Sequence, residues 1–155
     1  MNMKTTQQNT MSSTENNNTV QPYLSFNGRC EEAIEFYRAA LGAEVNLLLR
    51  FKDNPEQGAC APENSEKIMH ANIRIGDTTV LLSDGRCSGA LAFEGFSLSL
   101  IVAAEAEAEK RFTALADGGE VQMPLTKTFF SPRFGMVEDK FGVSWMVLVR
   151  GPEMS

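Results

Sequence analysis

The sequence predicts an α+β fold in which one βαβββ unit is used twice, and three observations predict it. The order helix, glycine, Glu-Val occurs at Gly42-Ala43-Glu44-Val45 and again at Gly118-Gly119-Glu120-Val121. Each occurrence follows a strand-like run and a helix-prone run. Each is followed by alternating segments that fold back as hairpins.

Gln21–Asn27 alternates, with Leu24 and Phe26 on one face and Tyr23, Ser25 and Asn27 on the other, so it reads as a strand. From Cys30 the spacing of Ala33, Ile34, Phe36, Tyr37, Ala40 and Leu41 gives one apolar stripe of a helix. Glu31, Glu32 and Glu35 sit in its first turns, where the helix dipole favours negative charge. Gly42 can take the left-handed conformation that stops it. Glu44–Phe51 reads as the next strand, and Lys52–Lys67 as a long polar loop, either a lid or a surface excursion. His70–Ile75 and Thr78–Ser83 read as a hairpin turning at Gly76-Asp77.

The second half repeats this order. Phe96–Val102 reads as a strand, with Phe96, Leu98 and Leu100 facing inward under the helices. Glu105–Leu115 is the helix, burying Phe112 and Leu115, and Glu120–Thr126 is a strand. Phe134–Glu138 and Ser144–Val149 make the last hairpin. Residues 20–151 therefore read as a single domain, with module one at 21–84, a linker at 85–94 and module two at 95–150. Residues 1–19 are rich in Asn, Thr, Ser and Gln and read as a disordered tail.

The net charge of −6 and pI near 4.8 argue against nucleic acid or an anionic membrane as partner. No apolar run approaches the roughly 20 residues of a membrane helix. The tail lacks the apolar middle of a signal peptide. The cysteines Cys30, Cys60 and Cys87 are odd in number and contain no CxxC, so they read as free structural thiols. A soluble, cytoplasmic protein is expected.

Three stretches carry a resemblance: PYLSFNGRCEEAIEFYRAALGAE (Pro22–Glu44), HANIRIGDTTVLLSD (His70–Asp84) and FGMVEDKFGVSWMVLV (Phe134–Val149). The chain resembles the vicinal-oxygen-chelate superfamily of glyoxalase, bleomycin-resistance and dioxygenase proteins, and within it the PhnB-like group. The resemblance implies two βαβββ modules curling into a half-open barrel around a cleft, and a homodimer. It also implies a divalent metal held by inward side chains of the first and last strands of each module. Those positions fall near Gln21 or Tyr23, near Leu81 with Ser83 and Asp84 beyond, on Ser97 and on Met146. Serine and methionine are poor ligands for hard cations, so no metal site is expected. The alternative is a rearranged divalent-metal site built from His70, Asp84 and Glu138 of the partner subunit.

Strand parity alone lists the cleft. Tyr23, Ser25, His70, Asn72, Arg74, Ser83, Ser97, Ser99 and Met146 face away from the apolar sides. Arg74 reads as an anion clamp, or as an ion-pair partner of Asp77 or a rim glutamate. Asn72 and the serines supply hydrogen bonds. His70, the only histidine, reads as acid or base, or as a strand cap. Phe130 reads as a ligand-facing wall or a dimer contact, and Arg133 as an anion guide or solvated surface. Trp145 reads as core, and a turn-forming role suffices for Asp84. A small polar or anionic ligand bound without metal is the leading expectation. A metal-dependent lyase, isomerase or dioxygenase around His70, or a metal-free isomerase with His70 as base, are the alternatives. No glycine-rich cofactor loop follows a strand, so nothing in the sequence supports methyl transfer.

Overall fold

The computed structural model describes residues 17–54 and 62–152. Most of the expected tail (1–16), the middle of the long loop (55–61) and Cys60 lie outside the described residues. Module one runs β1 (Tyr23–Ser25), α1 (Cys30–Leu41), β2 (Glu44–Arg50), β3 (Ile68–Ile75) and β4 (Thr78–Ser83). Module two runs β5 (Leu98–Val102), α2 (Glu105–Ala116), β6 (Glu120–Thr126), β7 (Phe134–Glu138) and β8 (Ser144–Val149). The sheets are ordered β1-β4-β3-β2 and β5-β8-β7-β6. In each, the first strand lies parallel to the last and the other pairs are antiparallel. This is the twice-used βαβββ unit of an α+β fold.

The helices form where the apolar stripes predict them. In α1, Cys30, Ala33, Ile34, Tyr37, Ala40 and Leu41 are buried. Gly42 sits at φ 68°, a left-handed conformation that costs glycine no Cβ clash, and its N–H closes onto the Arg38 carbonyl. Arg111 of α2 donates to the Ala40 carbonyl at 3.0 Å, satisfying one orphan acceptor of the last turn of α1. In α2, Ala108, Phe112 and Leu115 face the core.

One core serves both modules. Phe26 meets Phe141 edge-on at 5.7 Å, and Tyr37 meets Trp145 at 5.7 Å. Trp145 is buried, as its alternation with Met146 predicts. Each aromatic or aliphatic side chain fully withdrawn here stabilises the fold by about 1.5–3 kcal/mol. At the seam lies Asp139, itself buried. Its Oδ1 accepts the Phe141 and Val143 N–H groups at 2.9 and 3.1 Å. Its Oδ2 accepts the Tyr37 hydroxyl at 2.6 Å and the Trp145 indole N–H at 2.9 Å. Burial, then the charge of Asp139, holds the Tyr37 phenol well above the usual tyrosine range.

Two expectations are corrected. Phe96 does not pack under the helices; it is 43 % exposed. Gly95, at φ 83°, bends the chain just before it, and strand pairing begins only at Leu98 opposite Trp145. Phe96 therefore does not share the parity of Leu98 and Leu100. Cys87 is not a free thiol but is disulfide-bonded, whereas Cys30 is free and buried. The spacing of the cysteines in the sequence carries no signal of this bond, which is why it was not legible. No helix among the described residues is long and apolar enough to cross a membrane.

Candidate functional site

On module one, β1 pairs with β4 so that Tyr23 lies beside Leu81 and Ser25 beside Ser83, while Asn72 of β3 flanks Leu81 from the other side. This row geometry brings the Tyr23 hydroxyl to 3.0 Å from His70 Nδ1, with the rings 5.6 Å apart. The hydrogen bond fixes the imidazole orientation. With the phenol donating, the neutral ring carries its proton on Nε2 and offers a donor; in the other tautomer Nε2 is an acceptor. Asn72 Oδ1 is buried and has no hydrogen-bond partner among the described residues.

The remaining polar side chains of this face are already engaged. Arg74 pairs with Glu44, which lies directly across from it on β2. Ser83 is nearly buried; its hydroxyl donates to the Met69 carbonyl at 2.8 Å and accepts the Gly85 N–H at 2.9 Å. Ser25 donates to Asn27 Oδ1 at 3.3 Å.

Asp84 holds more than a turn. Its Oδ1 accepts the N–H groups of Gly28 and Cys30 at 2.7 and 2.8 Å, and its Oδ2 that of Ile68 at 2.7 Å. It thus caps the start of α1 from a distant strand end, neutralising orphan donors and the positive end of the dipole. Cys30 sits directly behind this carboxylate. Burial, then the charge of Asp84, pushes its thiol far above the usual range, so it is a neutral apolar side chain and no nucleophile.

On module two, the concave face holds a cavity of about 590 Å³, within the usual range for small-molecule sites. Ser97, Ser99 and Met146 line it together. Ser97 shares a 2.8 Å hydrogen bond with Ser144, and Ser99 donates to the Met146 sulfur at 3.8 Å. Sequence reasoning did not place the rest of the lining here: Phe93, Glu94, Gly95, Phe96, Gln122, Met136, Glu138, which it considered only as a partner's metal ligand, and Ser144. Met136 and Glu138 alternate with the buried Val137, so the parity rule applied to β7 would have found them. Phe93 and Phe96 lie before β5, outside any strand register, and had no such signal.

The expected residues of module one do not line this cavity, nor do Arg133 and Phe130 of module two. Arg133 forms an ion pair with Glu109 of α2. Phe130 meets Phe129 and Phe134 edge to face, with ring centroids 5.2 Å apart in each pair.

The residues at the superfamily's metal positions do not fit a divalent ion. The Tyr23 phenol is engaged with His70, Ser97 with Ser144, and the sulfur of Met146 is a soft donor. Both oxygens of Asp84 are held by backbone N–H groups and the residue is 1 % exposed. That removes it from any site shared with His70. Among the described residues, no group of three or more His, Cys, Asp or Glu side chains comes together.

The family described as 3-demethylubiquinone-9 3-methyltransferase matches residues 18–148. The chain belongs to this family. It is 37 % identical over 138 residues to the Protein YjdN of Escherichia coli K12, covering 84 % of this chain and 94 % of that one. It is 43 % identical to protein PA1353 of Pseudomonas aeruginosa, with a TM-score of 0.76 over 86 % of this chain and 98 % of that one. It is 28 % identical to the PhnB protein of Bacillus cereus, which carries the same methyltransferase description, with a TM-score of 0.71 over 85 % and 99 % of the chains. The fold is also that of a glyoxylase/bleomycin resistance protein/dioxygenase domain from Frankia sp. EAN1pec, at 14 % identity and a TM-score of 0.62 over 86 % and 98 % of the chains. This PhnB-like protein is thus built on two βαβββ modules, in the fold that the glyoxylase/bleomycin resistance protein/dioxygenase domain also has.

Proposed function

We propose that this PhnB-like protein binds a small polar molecule on the concave side of its sheets, as a homodimer and without a divalent metal. The observation that carries this reading is the module-two cavity, where Ser97, Ser99, Ser144 and Gln122 offer neutral hydrogen-bonding groups between apolar walls. The donor chemistry at the superfamily's metal positions supports the metal-free part. Exposed apolar side chains on the sheets, Leu47, Ile101, Val121 and Met123 among them, support a second copy of the chain as partner.

The methyltransferase description finds no support in the site. The donors at the start of α1, where a strand-loop-helix turn would cradle an anionic group, are taken by Asp84. The first turn of α2 carries Glu105 and Glu107, which repel an anion. If the concave side does chemistry, His70, held by Tyr23, is the acid or base.

Metal analysis of protein purified without chelator, a native mass and a thermal-shift panel test the reading. The panel contains phosphonates, α-hydroxy ketones, thiol conjugates and glycopeptides. The expected result is a dimer mass, no stoichiometric metal and one compound class that raises the melting temperature. Stoichiometric zinc, nickel or manganese, lost in His70→Ala, would overturn the metal-free reading.

A further inference from the structure

We propose that the module-two cavity takes an organic cation, an amine or quaternary ammonium group on a small body. This rests on the reading that the concave side holds a small molecule, and it replaces an anion with a cation. Glu94 and Glu138 line the cavity, and among the described residues no Lys, Arg or His does. The arginines that favoured an anion on sequence grounds are elsewhere, Arg74 on Glu44 and Arg133 on Glu109.

Glu138 also stands directly opposite Glu120 across the β6–β7 pair. Neither carboxylate makes an ion pair among the described residues. Like charges in register repel, and a cation seated beside Glu138 relieves that repulsion. An anion there would lose its hydration and meet no positive group.

The uncharged walls point the same way. Phe93 and Phe96 both line the cavity and meet edge to face, 6.5 Å apart with their planes at 79°. Ring faces attract ammonium groups within about 6 Å of the centroid. Met136 and Met146, paired in register on β7 and β8, add polarizable thioethers that carry no donor to repel a cation. Aromatic and thioether walls suit an organic cation rather than a hard metal ion, which takes six or more oxygens.

The test is calorimetry on the full chain with choline, its neutral isostere 3,3-dimethylbutan-1-ol, and phenylphosphonate. It is run at low ionic strength, where the charge term is least screened. Choline is expected to bind at least roughly tenfold more tightly than the isostere, with the preference shrinking as salt is added. Glu138→Gln, close to isosteric, should remove most of that preference. Phe96→Ala, at an exposed position, should weaken choline several-fold with the fold intact. Equal affinity for choline and its isostere, preference for the phosphonate, or no choline binding would each overturn the assignment. If the isostere or the phosphonate binds where choline does not, the cation falls and the small-molecule reading stands. If all three fail and the thermal-shift panel is also silent, both fall.

Discussion

In module one the buried aspartate, Asp84, follows the last strand and holds three backbone N–H groups at the start of α1 and β3. In module two the buried aspartate, Asp139, sits in the β7–β8 turn and reaches across the molecule to Tyr37 of α1. The strand pairings of the modules are the same, yet their polar anchors are not. One carboxylate secures its own module; the other fastens module two onto module one. The concave faces differ in the same way. Module one settles its charge internally, Arg74 against Glu44, whereas Glu138 of module two faces another carboxylate. Repeated topology fixes where side chains can point, and the side chains decide whether a face is closed or receptive.

Removing the aspartates tests this contrast most strongly. Asp139→Ala strands two backbone N–H groups, the Tyr37 hydroxyl and the Trp145 indole N–H in the core. At about 1–3 kcal/mol per buried unpaired donor, urea unfolding should show a loss of about 4 kcal/mol or more. Asp84→Ala strands three backbone donors and should cost less, about 3 kcal/mol. A larger loss for Asp84→Ala would break the idea that Asp139 is the fastening between modules.

Alkali gives the next effect. The Cys30 thiol and the Tyr37 phenol both have folded pKa values raised above their unfolded ones. As pH rises, the unfolded chain releases these protons first, so the folded state loses ground. Their contribution is whole below about pH 8.5 and falls as pH climbs through the thiol range and then the phenol range near about 10. Unfolding midpoints should therefore decline above about pH 8.5. Cys30→Ala should flatten the first part of that decline and leave the second, which belongs to Tyr37. An unchanged slope would remove Cys30 from the account.

The smallest effects lie on the concave faces. Arg74→Ala breaks an exposed pair and should cost no more than about 1 kcal/mol. Glu138→Gln should raise stability by a few tenths, about 0.2–0.5 kcal/mol, by easing its repulsion with Glu120. A clear loss in Glu138→Gln, read from the same urea curves, would show that this carboxylate has a structural partner.

The fold was legible because period and punctuation agree. The stripe from Ala33 to Leu41, the stop at Gly42 and the alternation in each hairpin are local signals, and the repeat confirms them. Among the residues that parity assigns to the cleft, Ser97, Ser99 and Met146 fall together on one cavity, because parity along a strand fixes the face. Asp84 and Asp139 were not. Each stands beside turn residues, and its real partners, Cys30 and Tyr37, are 54 and 102 positions away. Phe96 was misread because one glycine bend breaks the alternation that parity needs. Glu94 and Phe93 sit in a segment with no period, where only the folded chain shows which way a side chain turns.

The Tyr37–Asp139 hydrogen bond has a further meaning for the two halves as fragments. A chain cut between β4 and β5 would leave one piece with a phenol lacking its acceptor and the other with a carboxylate stripped of its neighbour's cover. Neither piece would be self-sufficient, and they should regain structure only when mixed.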